Sequence, residues 1–158
     1  MKQPDPESIR LAMEIAWRDH HHMREQTWRV LQIEAVLAAG LIGVDWQIQN
    51  IYATVAAGLL VIIAAIFGVL ITLHHRKAER RKFTFINNCE EALLLHGPNL
   101  LPEESCQIPS ELHFMDAFNF RVQNTAAFIL RMNIAIMFFA VLYIIGRIFV
   151  GYLSKGIL

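Results

Sequence analysis

Two long runs of apolar residues, separated by a short polar turn, dominate the first half of the chain. The first is apolar from Ala35 to Val44, and it is long enough to span a membrane only when Trp28 to Trp46 is counted as one segment. The second runs from Ile51 to Leu73 without a charged residue. A helix needs about twenty such residues to cross roughly 30 Å of hydrocarbon. With only Asp45 to Asn50 between the runs, the pattern predicts a transmembrane helical hairpin over residues 30–73. Asp45 and Asn50 are the two candidate N-caps of its second helix.

An amphipathic cytosolic helix is predicted ahead of the hairpin, over residues 1–29. Asp5 is a typical N-cap residue, and Pro6 suits the first helical position because no hydrogen-bond donor is lost there. No proline or glycine lies between Glu7 and Ala39, so the helix is expected to enter the membrane unbroken. No apolar stretch with a cleavage site opens the sequence, and the mature chain is therefore expected to begin at Met1.

Helical spacing of apolar residues continues after the hairpin and then stops. It predicts a helix as far as Gly97, then a loop to Pro109 that contains three prolines. Ser110, followed by Glu111, has the pattern of a new helix start, so residues 74–125 are expected to form a cytosolic helix-loop-helix.

A last apolar run begins at Met132, and it predicts a third membrane helix within residues 126–158. The fold class expected is therefore all-α integral membrane. It has about three transmembrane helices, a tight hairpin plus a C-terminal span, with long cytosolic helical extensions.

Composition and charge agree with a small membrane protein. The 158 residues are 55% hydrophobic with a mean hydropathy of +0.39, and 14 basic residues balance 14 acidic ones. The balance gives no basic excess of the kind that marks nucleic-acid binders, so no nucleic-acid partner is expected.

Basic residues cluster after Leu73 and are missing from the turn between the two runs. The positive-inside rule then predicts a multi-pass protein of a cytoplasmic (inner) membrane with its N-terminus in the cytoplasm. Cys89 and Cys106 are expected to be reduced thiols there.

Four residues are predicted to anchor the spans at the membrane surfaces. Trp28 and Trp46 lie about one bilayer apart, as interfacial tryptophans do. Arg76 and Lys77 directly follow the second run, where basic side chains contact headgroups.

Glu34 is the strongest candidate for a functional residue inside the membrane. A carboxylate there costs on the order of 2 to 3 kcal/mol, and such groups usually face a bundle interior or an aqueous path. In one interpretation Glu34, Gln32 and Asn133 line a pore between subunits, as an ion or proton site. In the other, Glu34 lies at headgroup level, paired with Arg29 or Arg131 or bonded to Gln32 of a neighbouring subunit.

Five histidines form two patches on the predicted cytosolic side, His20 to His22 and His74 with His75. His21 and His75 are candidates for a metal site because imidazole is a common metal ligand. Consecutive helical residues point about 100° apart, however, so three in a row cannot all bind one ion. A pH-responsive or headgroup-contacting belt and a solvated face are the alternatives, and no metal or cofactor is expected.

No motif for catalysis is present. The sequence lacks H-E-x-x-H, G-x-S-x-G and a phosphate-binding glycine loop. Nothing in the context of the two cysteines activates a thiol beside His96 or His113. The chain is not expected to be an enzyme.

The hairpin is followed by the segment Arg80-Arg81-Lys82-Phe83-Thr84-Phe85-Ile86, then by Glu90 and Leu93, and then by Leu101-Pro102. In this order of parts the chain resembles the RipA-like family of small oligomeric bacterial inner-membrane proteins, over about residues 20–104. The further apolar run at its C-terminus departs from that pattern. A looser likeness is to short two-helix membrane effectors of bacterial defence. The first resemblance implies a ring-like homo-oligomer without established catalysis, and neither implies functional residues.

Three functions follow from these observations. A chain this small gains most by packing against copies of itself, so the first is a homo-oligomeric membrane scaffold or regulatory assembly, with itself and lipids as partners. The second is an oligomeric channel or membrane-perturbing effector with Glu34 near the pore. The third is a metal-binding membrane protein that uses the histidines.

Overall fold

The computed structural model describes residues 5–95 and 108–156, with side chains as far as Tyr152. Its regular structure is helical: α1 spans Pro6–Ile48, α2 spans Ile51–Ala92, and α3 spans Thr125–Gly156, with a 3₁₀ turn at Phe114–Ala117 before α3. All three long helices are long and apolar enough to cross a membrane. The prediction of an all-helical chain with three such helices is confirmed for the described residues.

The start of α1 and the turn after it follow from local chemistry. α1 begins at Pro6 directly after Asp5 and continues without a break, as predicted. It runs through Ile48, so the connection to α2 is shorter than predicted and consists of Gln49 and Asn50. Gln49 takes a positive φ of 49° to reverse the chain. The Asn50 side chain accepts a hydrogen bond of 2.9 Å from the backbone N–H of Tyr52, so Asn50 is the one of the two candidate residues that caps α2.

α2 ends earlier than the glycine and proline at residues 97 and 98 indicate. Its last helical residue is Ala92, and the next turn is closed by two hydrogen bonds of 3.0 Å, Leu94 N–H to the Glu91 carbonyl and Leu95 N–H to the Glu90 carbonyl. This is the Schellman arrangement, with Leu94 at the left-handed position at φ 53°. The predicted stop is therefore wrong, because backbone capping ends the helix before glycine is reached.

Leu94→Gly is expected to stabilise this end of α2. A β-carbon in the left-handed region is unfavourable, and Leu94 is exposed and loses little packing. The expected gain is about 0.5 to 1 kcal/mol, after allowing for the greater freedom of glycine in the unfolded chain. It is measured as slower amide hydrogen exchange at Leu94 and Leu95. Leu93→Gly, at a position with a negative φ, should instead speed the exchange, and equal effects of both variants would contradict this explanation.

The second cytosolic helix predicted from Ser110 does not form. Residues 108–113 are not helical and only the short 3₁₀ turn follows. The Ser110 carbonyl accepts a hydrogen bond from Arg76, and the Glu111 carboxylate lies 3.0 Å from the Arg80 guanidinium, so α2 engages the groups that were expected to start a helix. Most of the predicted loop up to Pro109, with Cys106 and His96, lies outside the described residues.

The described chain divides into two compact units. A two-helix unit contains residues 5–26, 74–95 and 108–112, and a three-helix unit contains residues 27–73 and 113–156. In the two-helix unit Trp17 packs edge-on against Phe83 at 5.5 Å, and Lys82 pairs with Asp19 at 3.1 Å. The start of α1 therefore runs beside the end of α2.

Leu41, Val61 and Ala140, one from each helix, form a buried layer in the three-helix unit. α2 approaches α3 closely at Gly58, where a β-carbon would lie 2.6 Å from Cδ1 of Ile144. Polar side chains lie in the bundle on both sides of this layer, and they form the candidate site.

Candidate functional site

Glu34 lies inside the three-helix unit. It follows Leu31 and precedes Leu41 at helical spacing, so all three share the inward face of α1. The side chain is 1% exposed, and the residues beside its carboxyl group belong to α2 and α3. The carboxyl group is therefore enclosed within a single chain.

Gly68 of α2 makes room for this carboxyl group. A β-carbon at Gly68 would overlap Oε1 of Glu34 and would lie 2.9 Å from its Cδ. The same β-carbon would lie 2.8 Å from Nδ2 of Asn133. Glu34 and Asn133 therefore meet on the surface of α2 at a position where only a glycine leaves them space.

Two further buried residues, Thr72 and Asn133, lie beside Glu34 and Gly68. We call these four residues the Glu34 cluster. Asn133 is fully buried on α3 and Thr72 is buried on α2. The Thr72 hydroxyl donates to the Gly68 carbonyl at 2.8 Å, and Nδ2 of Asn133 donates to the Thr72 hydroxyl at 3.4 Å. The cluster thus contains a short chain of hydrogen bonds that ends at the amide.

Three buried oxygen atoms of the cluster are not hydrogen-bonded. Oε1 and Oε2 of Glu34 and Oδ1 of Asn133 have no hydrogen-bond partner in the described part of the chain. Buried polar atoms are nearly always hydrogen-bonded, so such exceptions call for an explanation. All three are acceptors, and they outnumber the one N–H of the Asn133 amide that these hydrogen bonds leave free.

The other residues predicted to accompany Glu34 lie elsewhere. Gln32 is exposed on the outward face of α1. Arg131 donates to the backbone carbonyls of Ala117, Asn119 and Val122 and holds the segment before α3 in place. Of the predicted polar set, the structure brings together Glu34 and Asn133 and leaves out Gln32 and Arg131.

Asp45 forms a second polar cluster that the sequence analysis missed. Its carboxylate accepts hydrogen bonds from Thr54 at 2.6 Å, from Tyr143 at 2.8 Å and from Arg147 at 2.8 Å. Asp45 was predicted only as part of the turn and as a candidate cap. One signal was available, since Asp45 and Arg147 are opposite charges within two apolar segments and need partners there.

The histidines divide between the interior and the surface of the two-helix unit. His20 is buried against Trp17 and Phe83, with Nδ1 at 3.6 Å from the Glu79 carboxylate. His21 is exposed and stacks on Trp17 at 6.2 Å, and the His74 and His75 rings lie 6.3 Å apart. Among the described residues, no group of three or more His, Cys, Asp or Glu side chains is placed to hold a metal ion.

The four predicted anchors have different environments. Trp46 is 81% exposed, and Trp28 is half-exposed with its ring 6.4 Å from that of Phe128. Lys77 is exposed. Arg76 is largely buried and is used within the protein, because it pairs with Glu79 at 2.6 Å and donates to the Ser110 carbonyl.

Comparison with known proteins found no matching family model, no significantly similar curated protein and no significantly similar solved structure. The resemblance to the RipA-like family therefore stays a prediction. Function has to be argued from the residues of this chain.

Proposed function

We propose that the protein is a small, non-enzymatic membrane protein that associates with copies of itself through the outward face of α1 and acts as a scaffold or regulatory assembly. The observation that carries the proposal is the difference between the outward faces of the three helices.

The outward faces of α2 and α3 consist mostly of large apolar side chains, with small residues such as Ala56 and Gly146 between them. On α2 the exposed residues include Leu59, Leu60, Ile63, Ile66, Phe67 and Leu70, and on α3 they include Phe138, Leu142, Ile145, Ile148 and Phe149. Such side chains are well solvated by lipid tails, so these faces need no protein partner in a bilayer.

The outward face of α1 is different. Gln32, Val36, Ala39 and Gly43 follow one another at spacings of four, three and four, Gly40 lies next to Ala39, and all five residues are exposed. A β-carbon on Gly40 or Gly43 would meet nothing within 4 Å in the described structure, so packing within the chain does not require these glycines. Small residues on an exposed helix face allow a second helix to approach its backbone closely, which favours association in lipid.

Gln32 makes a second copy of the chain the best partner for this face. An exposed amide in a membrane-spanning helix gains by hydrogen bonding across a helix interface. An amide both donates and accepts, so two Gln32 side chains related by a two-fold axis satisfy each other. We call Gln32, Val36, Ala39, Gly40 and Gly43 the α1 stripe.

We place the assembly in a bacterial inner membrane, with the N-terminus in the cytoplasm. The support is the basic cluster that follows Leu73 and the lack of basic residues in the Gln49-Asn50 turn. We favour a scaffold over a pore between subunits because Glu34 and Gln32 lie on opposite faces of α1. An intersubunit path along the α1 stripe would contain Gln32 but not the Glu34 carboxyl group.

Ala39→Leu is expected to weaken self-association at least tenfold, about 1.4 kcal/mol, because a leucine side chain holds the two helices apart. Association is measured by Förster transfer between labelled copies in liposomes as the protein-to-lipid ratio is changed. Ala56→Leu makes the same change on the exposed face of α2 and should leave association unchanged.

Cysteine cross-linking gives the position of the contact. With Cys89 and Cys106 replaced by serine, Gly43→Cys is expected to form a disulfide between copies, while a cysteine at Ile63 on α2 is not. A wild-type protein that stays monomeric at every protein-to-lipid ratio would overturn the proposal, as would equal effects of Ala39→Leu and Ala56→Leu.

A further inference from the structure

We infer that the Glu34 cluster is a proton-binding site, in which Glu34 is held as a neutral carboxylic acid whose hydroxyl donates to Oδ1 of Asn133. The inference concerns the interior of a single chain and does not depend on the self-association proposed above. It rests on the hydrogen-bond balance of the cluster, on its burial and on the lack of a compensating charge.

The cluster has fewer free hydrogen-bond donors than free acceptors. The Thr72 hydroxyl donates to the Gly68 carbonyl and one N–H of the Asn133 amide donates to Thr72, which leaves the second amide N–H as the free donor of the cluster. The free acceptors are the Glu34 carboxyl oxygens and Oδ1 of Asn133, which have no partners among the described residues. A proton on Glu34 turns one of its oxygens into a donor and supplies a partner for Oδ1 of Asn133.

Burial makes the ionised form unfavourable. Glu34 is 1% exposed and Asn133 is fully buried, so water does not reach the carboxyl group in this conformation. A buried charge is tolerated when it is paired and hydrogen-bonded, and otherwise the group neutralises. Neither carboxyl oxygen has such a bond in the described structure, so the neutral acid is the form that fits.

No charged side chain among the described residues compensates Glu34. Gly68 of α2 lies against the carboxyl group and Asn133 of α3 lies close to it, and neither residue is charged. The nearest arginine along α3 is Arg131, whose hydrogen bonds go to backbone carbonyls. The Glu34 carboxyl group therefore lies beside uncharged residues.

A proton fits the site better than a metal cation does. Calcium and magnesium ions take six or more oxygen ligands, several of them charged. The cluster has three unused oxygens from two side chains, and only one of those side chains is acidic. A single proton on Glu34 turns one of these three acceptors into a donor to Oδ1 of Asn133.

Infrared difference spectroscopy of the full chain in liposomes tests the inference directly. At neutral pH the wild type is expected to show the carbonyl band of a protonated carboxylic acid, shifted in D₂O and absent from Glu34→Gln. Glu14→Gln removes an exposed glutamate that pairs with Arg18 and should leave the band unchanged. Asn133→Ala should move the band to the frequency of an acid without an acceptor, because it removes the partner of the acid hydroxyl.

Two results would overturn the inference. One is a folded wild type at neutral pH without a band that depends on Glu34. The other is a band that disappears when sodium or potassium chloride is added at constant pH, which would identify a monovalent-cation site. If Glu34→Gln does not insert or fold, Glu34→Asp replaces it, and a proton site then predicts that the acid band shifts in frequency.

Discussion

Asp45→Ala is expected to destabilise the three-helix unit by about 3 kcal/mol, because it leaves Arg147 without its carboxylate partner. The Arg147 side chain is one-third exposed and Asp45 is buried, so the pair is only partly open to solvent. Thr54 and Tyr143 lose an acceptor as well. The variant is expected to unfold at lower denaturant concentration in mixed micelles, with α3 losing protection from hydrogen exchange first.

A double-mutant cycle measures the interaction free energy between Asp45 and Arg147 separately from the effect of each single substitution. Arg147→Met removes the charge but keeps an apolar side chain of similar length, so the double variant Asp45→Ala with Arg147→Met should be more stable than Asp45→Ala alone. Asp45→Asn keeps an acceptor for Thr54 and is expected to lie between the wild type and Asp45→Ala. Strictly additive losses in the cycle would mean that Asp45 and Arg147 act independently, contrary to this explanation.

Gly68→Ala is expected to destabilise the same unit by about 2 kcal/mol, through overpacking. The new β-carbon overlaps Oε1 of Glu34 and lies 2.8 Å from Nδ2 of Asn133. Because both side chains are buried, neither has open space into which it could move. The free energy of unfolding in mixed micelles measures the effect.

Gly146→Ala is the matched control for this variant. A β-carbon at Gly146 meets nothing within 4 Å in the described structure, and alanine favours a helix by up to about 1 kcal/mol over glycine, so stability should be unchanged or higher. Combining Gly68→Ala with Glu34→Ala removes the overlapping carboxyl group and should recover part of the loss. If Gly68→Ala is as stable as Gly146→Ala, the close contact at Gly68 does not limit packing.

Local sequence was enough to predict the three long helices and some of their ends. The length of an apolar run depends only on consecutive residues, so three helices apolar enough to span a membrane were predicted correctly. The start of α1 at Pro6 and the cap at Asn50 depend on residues close to the helix end. The start was predicted, and Asn50 was one of two predicted candidates for the cap.

Tertiary contacts decided the conformation of the segment before α3, where the predicted helix does not form. Ser110 and Glu111 have the pattern of a helix start, but distant arginines of α2 engage both residues. α3 begins at Thr125, where the Asn124 side chain accepts a hydrogen bond from Ala127 N–H, and does not continue from an earlier helix. A contact from another element can outweigh a cap of about 1 kcal/mol.

The inward and outward faces of the spans were decided only by the tertiary structure. In a helix that is apolar on most sides, hydrophobic spacing does not indicate which side meets its neighbours. The sequence marked Glu34 as costly in a membrane, but the fold brought Gly68, Thr72 and Asn133 to it. It also paired Asp45 with Arg147, 102 residues away. Length and polarity are local properties of the sequence, whereas the partner of a buried polar group depends on how the helices pack.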